Sequence, residues 1–130
     1  KKLDLLHMKK YIKRISDYKY DYEKDKKVNL DKLEMDIYLA SDKFSKSLDK
    51  FKLKLKTNII LKFGRKKIRI YNGSDKKRIL ICEMDNRLLR RILDKKSHWN
   101  NAEIGGHINF KRFPNIMEPD VHTSLSFFHL

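Results

Sequence analysis

The hydrophobic period of this chain changes from helical to strand-like near residue 50. Before that point Leu30, Leu33, Ile37, Ala40, Phe44 and Leu48 recur at three- and four-residue steps, the spacing of one helix face. After it, Phe51-Lys52-Leu53-Lys54-Leu55-Lys56 alternates apolar and charged residues, the spacing of a strand with one face inward. Side chains return to the same face every ~3.6 residues in a helix and every ~2 in a strand, so neither pattern serves the other element. The chain must mix the two, helix first and sheet after, which predicts an α+β fold.

The remaining pattern extends both halves. Leu5, Met8, Ile12 and Ile15, widened by Tyr11, Tyr18 and Tyr22, predict an earlier helix, and the polar break Glu23-Lys24-Asp25-Lys26-Lys27 separates it from the second. Residues 1–50 therefore read as a helical hairpin. Beyond Phe51, the runs Ile59–Phe63, Lys67–Tyr71 and Arg78–Met84 read as further strands, with turns at Gly64-Arg65-Lys66 and Asn72-Gly73. An antiparallel meander is the simplest way to join them. Asp85 is a good N-cap for a helix that places Leu88, Leu89, Ile92 and Leu93 on one face.

A short helix or turn is expected at His98–Ala102, a break at Gly105-Gly106, and a last strand at His107–Lys111 ended by Pro114. Asn115 to Glu118 has capping-box spacing, Pro119 suits a first helical turn, and Val121, Leu125 and Phe128 line a terminal helix. Residues 51–130 thus form an α+β domain, an antiparallel sheet covered on one face by helices, in one compact unit with the hairpin. The low charge after His98 fits burial of Trp99, Ile104, Ile108, Phe110, Leu125 and Phe128.

Length and charge narrow the function classes. At 130 residues the chain is one domain, and 32 Lys and Arg against 17 Asp and Glu leave a net charge of +15. A field of that sign attracts phosphates, nucleic acid or anionic surfaces. Cys82 is the sole cysteine, so no intrachain disulfide and no multi-cysteine metal site can form, which fits a reducing, cytoplasmic setting. No apolar run approaches the roughly 20 residues of a membrane-spanning helix. The lead Lys1-Lys2-Leu3-Asp4 is no signal peptide, and the absence of an initiator Met makes Lys1 read as a cut or processed start.

Between residues 51 and 70 the bases Lys52, Lys54, Lys56, Lys62, Arg65, Lys66, Lys67 and Arg69 occur with no acid. Alternation would set Lys52, Lys54 and Lys56 on one sheet face, where they could follow a phosphate backbone. A solvated face that discourages edge-to-edge aggregation is the plainer reading, because Phe51 and Phe63 fall on the apolar side and leave no interleaved aromatic to stack a base.

His98, His107, His122 and His129 show no metal-binding spacing, and Glu103 or Asp120 could join them only through the tertiary fold. Cys82 sits in an apolar strand, Ser124 and Ser126 lack a nucleophile elbow, and Glu83 and Asp85 suit a strand end and a helix cap. No catalytic residue, metal ligand or cofactor site is identified.

Two resemblances carry more. The string His98-Trp99-Asn100-Asn101-Ala102-Glu103-Ile104-Gly105, with Phe127-Phe128-His129-Leu130 at the end, is similar to the C-terminal region of large metallo-β-lactamase-fold proteins. These include the Rieske-linked relatives of CMP-N-acetylneuraminate hydroxylase. The order of elements over about 57–130 also resembles a sterol-carrier-protein-like domain. The metallo-hydrolase His-x-His-x-Asp-His signature is absent here, as are the Cys-x-His and Cys-x-x-His pairs of a Rieske cluster.

The resemblance therefore implies a non-catalytic accessory C-terminal domain, its partner a catalytic domain upstream of Lys1, with no cofactor of its own. A sterol-carrier fold further implies an apolar cavity, or its filled equivalent, lined by Phe51, Leu53, Leu55, Ile68, Ile70, Leu80, Ile108, Phe110, Leu125 and Phe128. A basic nucleic-acid-binding module and a stand-alone lipid or acyl carrier remain as alternatives.

Overall fold

Two helical stretches and a strand hairpin open the fold, and each has a local cause. The structure, a computed structural model, describes residues 22–130. The first helix of the expected hairpin, Leu5 to Ile15, lies outside the described residues. After a 3-10 turn at Tyr22–Lys24, helix α1 runs over Leu30–Lys50. The Asn29 side chain starts it, accepting from the amides of Asp31 at 3.0 Å and Lys32 at 3.1 Å. Leu33, Ile37, Ala40, Phe44 and Leu48 form its buried stripe as the spacing predicts, while Leu30, in the first turn, stays exposed.

The alternation at 51–56 is not a strand. Helix α1 ends there in a Schellman reversal: the amide of Leu53 bonds the Leu48 carbonyl at 2.9 Å and that of Lys52 the Asp49 carbonyl at 3.0 Å. Lys52 takes the left-handed conformation with φ 56°, a place that suits glycine because it has no Cβ to clash. Phe51 is consequently thrown outward, and only Leu53 and Leu55 turn back to the core. Lys52→Gly is expected to stabilise the domain by about 1 kcal/mol, raising Tm by a few degrees in a thermal melt. An unchanged or lower Tm would show that the strain is relieved elsewhere.

Strand β1 (Asn58–Phe63) pairs antiparallel with β2 (Lys66–Tyr71) through the Gly64-Arg65 turn, as expected. Strand β3 (Ile79–Glu83) does not continue a meander. It lies on the other side of β1 and runs parallel to it, with β4 (Asn109–Phe113) antiparallel beyond. The sheet is therefore mixed, in the order β2-β1-β3-β4.

The reason lies in residues 72–78, which pass beneath the start of β1 instead of turning tightly at Asn72-Gly73. The Asn58 side chain accepts from the Gly73 amide at 3.0 Å and donates to the carbonyls of Asp75 and Arg78. Ser74 and Asp75 donate their amides to the carbonyls of Leu55 and Lys56. The crossing is thus pinned to 55–58 at several points.

Helix α2 (Asn86–Leu93) begins at Asp85, whose side chain accepts from the Arg87 amide at 2.8 Å, as its cap position predicts. Short helices α3 (Trp99–Ile104) and α4 (Pro119–Ser124) follow, the latter running into a 3-10 turn at Leu125–Phe127. The N-cap of α4 is Glu118 and not Asn115, and the Glu118 carboxylate binds residues 56 and 57 instead of the helix's own amides.

One sheet face, with Ile59, Leu61, Phe63, Ile68, Ile70, Leu80 and Cys82, joins the apolar stripes of the helices in a single core. Phe44 sits at its centre, edge-on to Tyr71 at 6.1 Å and Phe128 at 5.9 Å, and Phe128 in turn meets Trp99 at 6.5 Å. Ile104, expected in this core, points to solvent at the end of α3, and Phe110 is half-buried. The architecture is α+β, and among the described residues no helix is long and apolar enough to cross a membrane.

Candidate functional site

The densest polar arrangement in the final third joins residues that sequence spacing keeps apart. Helix α3 supplies Glu103, β4 supplies Arg112 and α4 supplies His122, a buried side chain. His122 Nδ1 lies 2.8 Å from Glu103 Oε1, and Arg112 Nη2 lies 3.0 Å from His122 Nε2. An arginine can only donate, so Nε2 accepts and the ring proton sits on Nδ1, donated to the carboxylate.

Phe110 packs edge-on against the ring at 5.0 Å. Both imidazole nitrogens are thus occupied, and the nearby Cys82 thiol, which feels the charges of Glu103 and Arg112, is buried. The trio fixes three elements to one another. Sequence reasoning allowed Glu103 to join the histidines only through the tertiary fold and had no signal for this meeting or for Arg112, which β4 brings in.

Glu118 is the second convergence. Its carboxylate accepts from the amides of Lys56 and Thr57 at 3.0 Å and from the Thr57 hydroxyl at 2.7 Å. Partial burial works to raise its pKa, but these donors bind the charged form, and the net effect holds it below the usual value of 4.5. A lowered native pKa gives stability that is present above the ordinary value and is lost as pH falls through the native one. Glu118→Gln is expected to cost about 2 kcal/mol at pH 7, read from urea midpoints, and the gap to wild type should close in strong acid. A gap that is equally large at pH 7 and pH 3 contradicts this role.

Cys82 is fully buried, and burial pushes its thiol far above the usual range, so it is no nucleophile near neutral pH. The hydroxyls of Ser124 and Ser126 donate to the carbonyls of Val121 and Thr123, each at 2.8 Å. Glu83 pairs with Lys62 at 2.9 Å and Asp85 with Arg87 at 2.9 Å. His98 occupies the N-cap position of α3, His107 meets the Tyr22 hydroxyl at 3.2 Å, and His129 lies against the Leu130 carbonyl. Among the described residues no three His, Cys, Asp or Glu side chains gather to hold a metal ion.

The ten apolar residues expected to line a cavity separate by depth. Leu55, Ile68, Ile70, Leu80, Ile108, Leu125 and Phe128 are buried in the same cluster as Leu33, Ile37 and Phe44, and Leu53 and Phe110 pack at its margin. Phe51 is on the surface, 56% exposed and stacked on Phe127 at 5.6 Å. Surface depressions lie elsewhere. One of about 370 Å³ is bordered by Lys95, His98, Trp99 and Phe127 and touches Phe128 alone of the ten.

The eight expected bases also disperse, because 51–56 is not a strand. Lys52, Lys54 and Lys56 are exposed on the loop after α1 and share no sheet face. Arg65 is at the β1–β2 turn, Lys66 pairs with Glu34 at 2.6 Å, and Lys62 is taken by Glu83. Among the described residues only Lys67 and Arg69 of the eight stay on the outer sheet face with no ion pair to an acid. They are joined from β4 by Lys111, which sequence reasoning did not include and which lies near enough to Glu83 to help lower its pKa. Comparison with known protein families, curated proteins and solved structures finds no match to this chain.

Proposed function

We propose that this chain is a non-catalytic accessory domain of a larger metallo-hydrolase-like protein, packed on a catalytic part that precedes it. The observation that carries the reading is where apolar surface remains. Half of the large exposed apolar side chains among the described residues fall within residues 98–130: Ile104 and Phe127 in the resembling strings, and Phe113, Ile116 and Met117 between them. Phe51, exposed as well, stacks on Phe127 and extends that surface. An exposed aromatic pair such as Phe51 and Phe127 is the kind of apolar surface that a docking partner covers.

Two further points support an accessory role. The two parts of the resembling string fold together, with Trp99 on Phe128 and the Leu130 amide bonded to the Leu93 carbonyl at 2.9 Å. The ionisable groups there are bound to one another, as Glu103, His122 and Arg112 are, which suits holding a shape more than moving a proton.

Reading the gene upstream of Lys1 tests this directly. An open reading frame with the His-x-His-x-Asp-His signature is expected. A start codon near Lys1, or an upstream domain without that signature, overturns the proposal.

A further inference from the structure

The covered face of the sheet has a counterpart that is only half hidden. On the outer face, register aligns Arg69 with Ile60, Ile60 with Ile81, and Ile81 with Lys111, a row that is cationic at both ends and aliphatic in the middle. One step along, Ile79 pairs with Phe113 and widens the aliphatic strip. Ile60, Ile79 and Ile81 are half-buried, and Arg69, Lys111 and Phe113 are exposed. A sheet with an apolar stripe on its second face calls for a second layer to cover it.

We propose that this face seats an acidic amphipathic helix from a protein partner. Four strands about 4.8 Å apart place the edge cations about 14 Å from one another. A helix with its side chains is about 10–12 Å wide, so one helix fits between them. Laid along β1 and β3, it buries an apolar stripe on Ile60, Ile79 and Ile81. Its flanks then carry carboxylates to Arg69 and Lys67 on one side and to Lys111, which also lies near Glu83, on the other.

Charge and chemistry select this occupant over the alternatives. A second copy brings another +15 against a cationic rim. Residues 1–21 hold seven Lys or Arg against Asp4, Asp17 and Asp21, the wrong sign as well. A nucleic acid would find aliphatic side chains where bases need aromatic rings, and Lys62, the one cation in the middle strands, is already paired with Glu83. The seat does not depend on an upstream catalytic domain.

The test uses the full chain and a fluorescein-labelled 18-residue peptide with Leu at helical i, i+3, i+4 and i+7 steps and Glu on both flanks. Saturable binding by anisotropy is expected. It should weaken at least about tenfold in the Arg69→Glu/Lys111→Glu variant and for a scrambled peptide of the same charge but no stripe. Both substituted residues are exposed, and circular dichroism checks the fold; Lys111→Glu alone should weaken binding about threefold if the double variant unfolds.

Failure of the peptide to bind, equal binding of the scrambled peptide, or indifference to these substitutions overturns the proposal. An 18-nucleotide oligo-U that binds more tightly than the peptide and is lost in the same variant overturns it too, and assigns the face to nucleic acid.

Discussion

Phe44→Ala is expected to cost about 3–5 kcal/mol, a large part of the 5–15 kcal/mol that holds a domain of this kind together. Phe44 has no solvent exposure, and its ring links α1 to the sheet through Tyr71 and to the chain end through Phe128. Truncation would remove both ring contacts and leave a cavity that side chains from three different elements cannot easily close. Urea unfolding followed by Trp99 emission reads the loss, because Trp99 is the only tryptophan and touches Phe128. A cost under about 1 kcal/mol would mean that the site collapses around the smaller side chain and that Phe44 is not the centre of the core.

Gly73→Ala is expected to be nearly as damaging, at about 2–4 kcal/mol, for a steric reason. A Cβ at Gly73 would stand 2.2 Å from the Lys56 carbonyl oxygen and 2.4 Å from the Thr57 carbonyl carbon, both backbone atoms. The crossing strap would have to lift off the segment leading into β1, breaking the hydrogen bonds from the Ser74 amide to the Leu55 carbonyl and from the Asp75 amide to the Lys56 carbonyl. Hydrogen exchange should show those two amides losing protection first. Gly64→Ala is the control: its φ is +59° but no atom lies within 4 Å, so it should cost only about 1 kcal/mol. Equal costs for the two variants would remove the close approach as the cause.

Gly73 also shows why the topology was harder to read than the elements. The dipeptide Asn72-Gly73 marks a turn correctly, but a turn signal does not say which neighbour the next strand takes. That choice came from the Asn58 side chain, which gathers the strap from a distance in sequence. Helices α1 and α2 were legible because their apolar period is long and their caps, Asn29 and Asp85, are local.

Residues 51–56 misled for the opposite reason. Six residues of alternation cannot be told from a helix end followed by a loop when a lysine accepts a left-handed conformation. The polar trio of Glu103, Arg112 and His122 left no local trace, since each residue looks ordinary among its own neighbours. The outer sheet face was partly visible: Lys67 and Arg69 were named, but Lys111 and the isoleucines between them became one surface only when β3 and β4 were placed.

Cys82 has a use that follows from its position on the inner face of β3, with no solvent exposure and no second thiol in the chain. A disulfide-exchange dye can reach it only when the sheet comes apart, so the rate of colour formation counts openings of the whole domain. The protein carries its own clock for opening, set in an interior strand of the sheet, and every substitution can be timed without attaching a reporter.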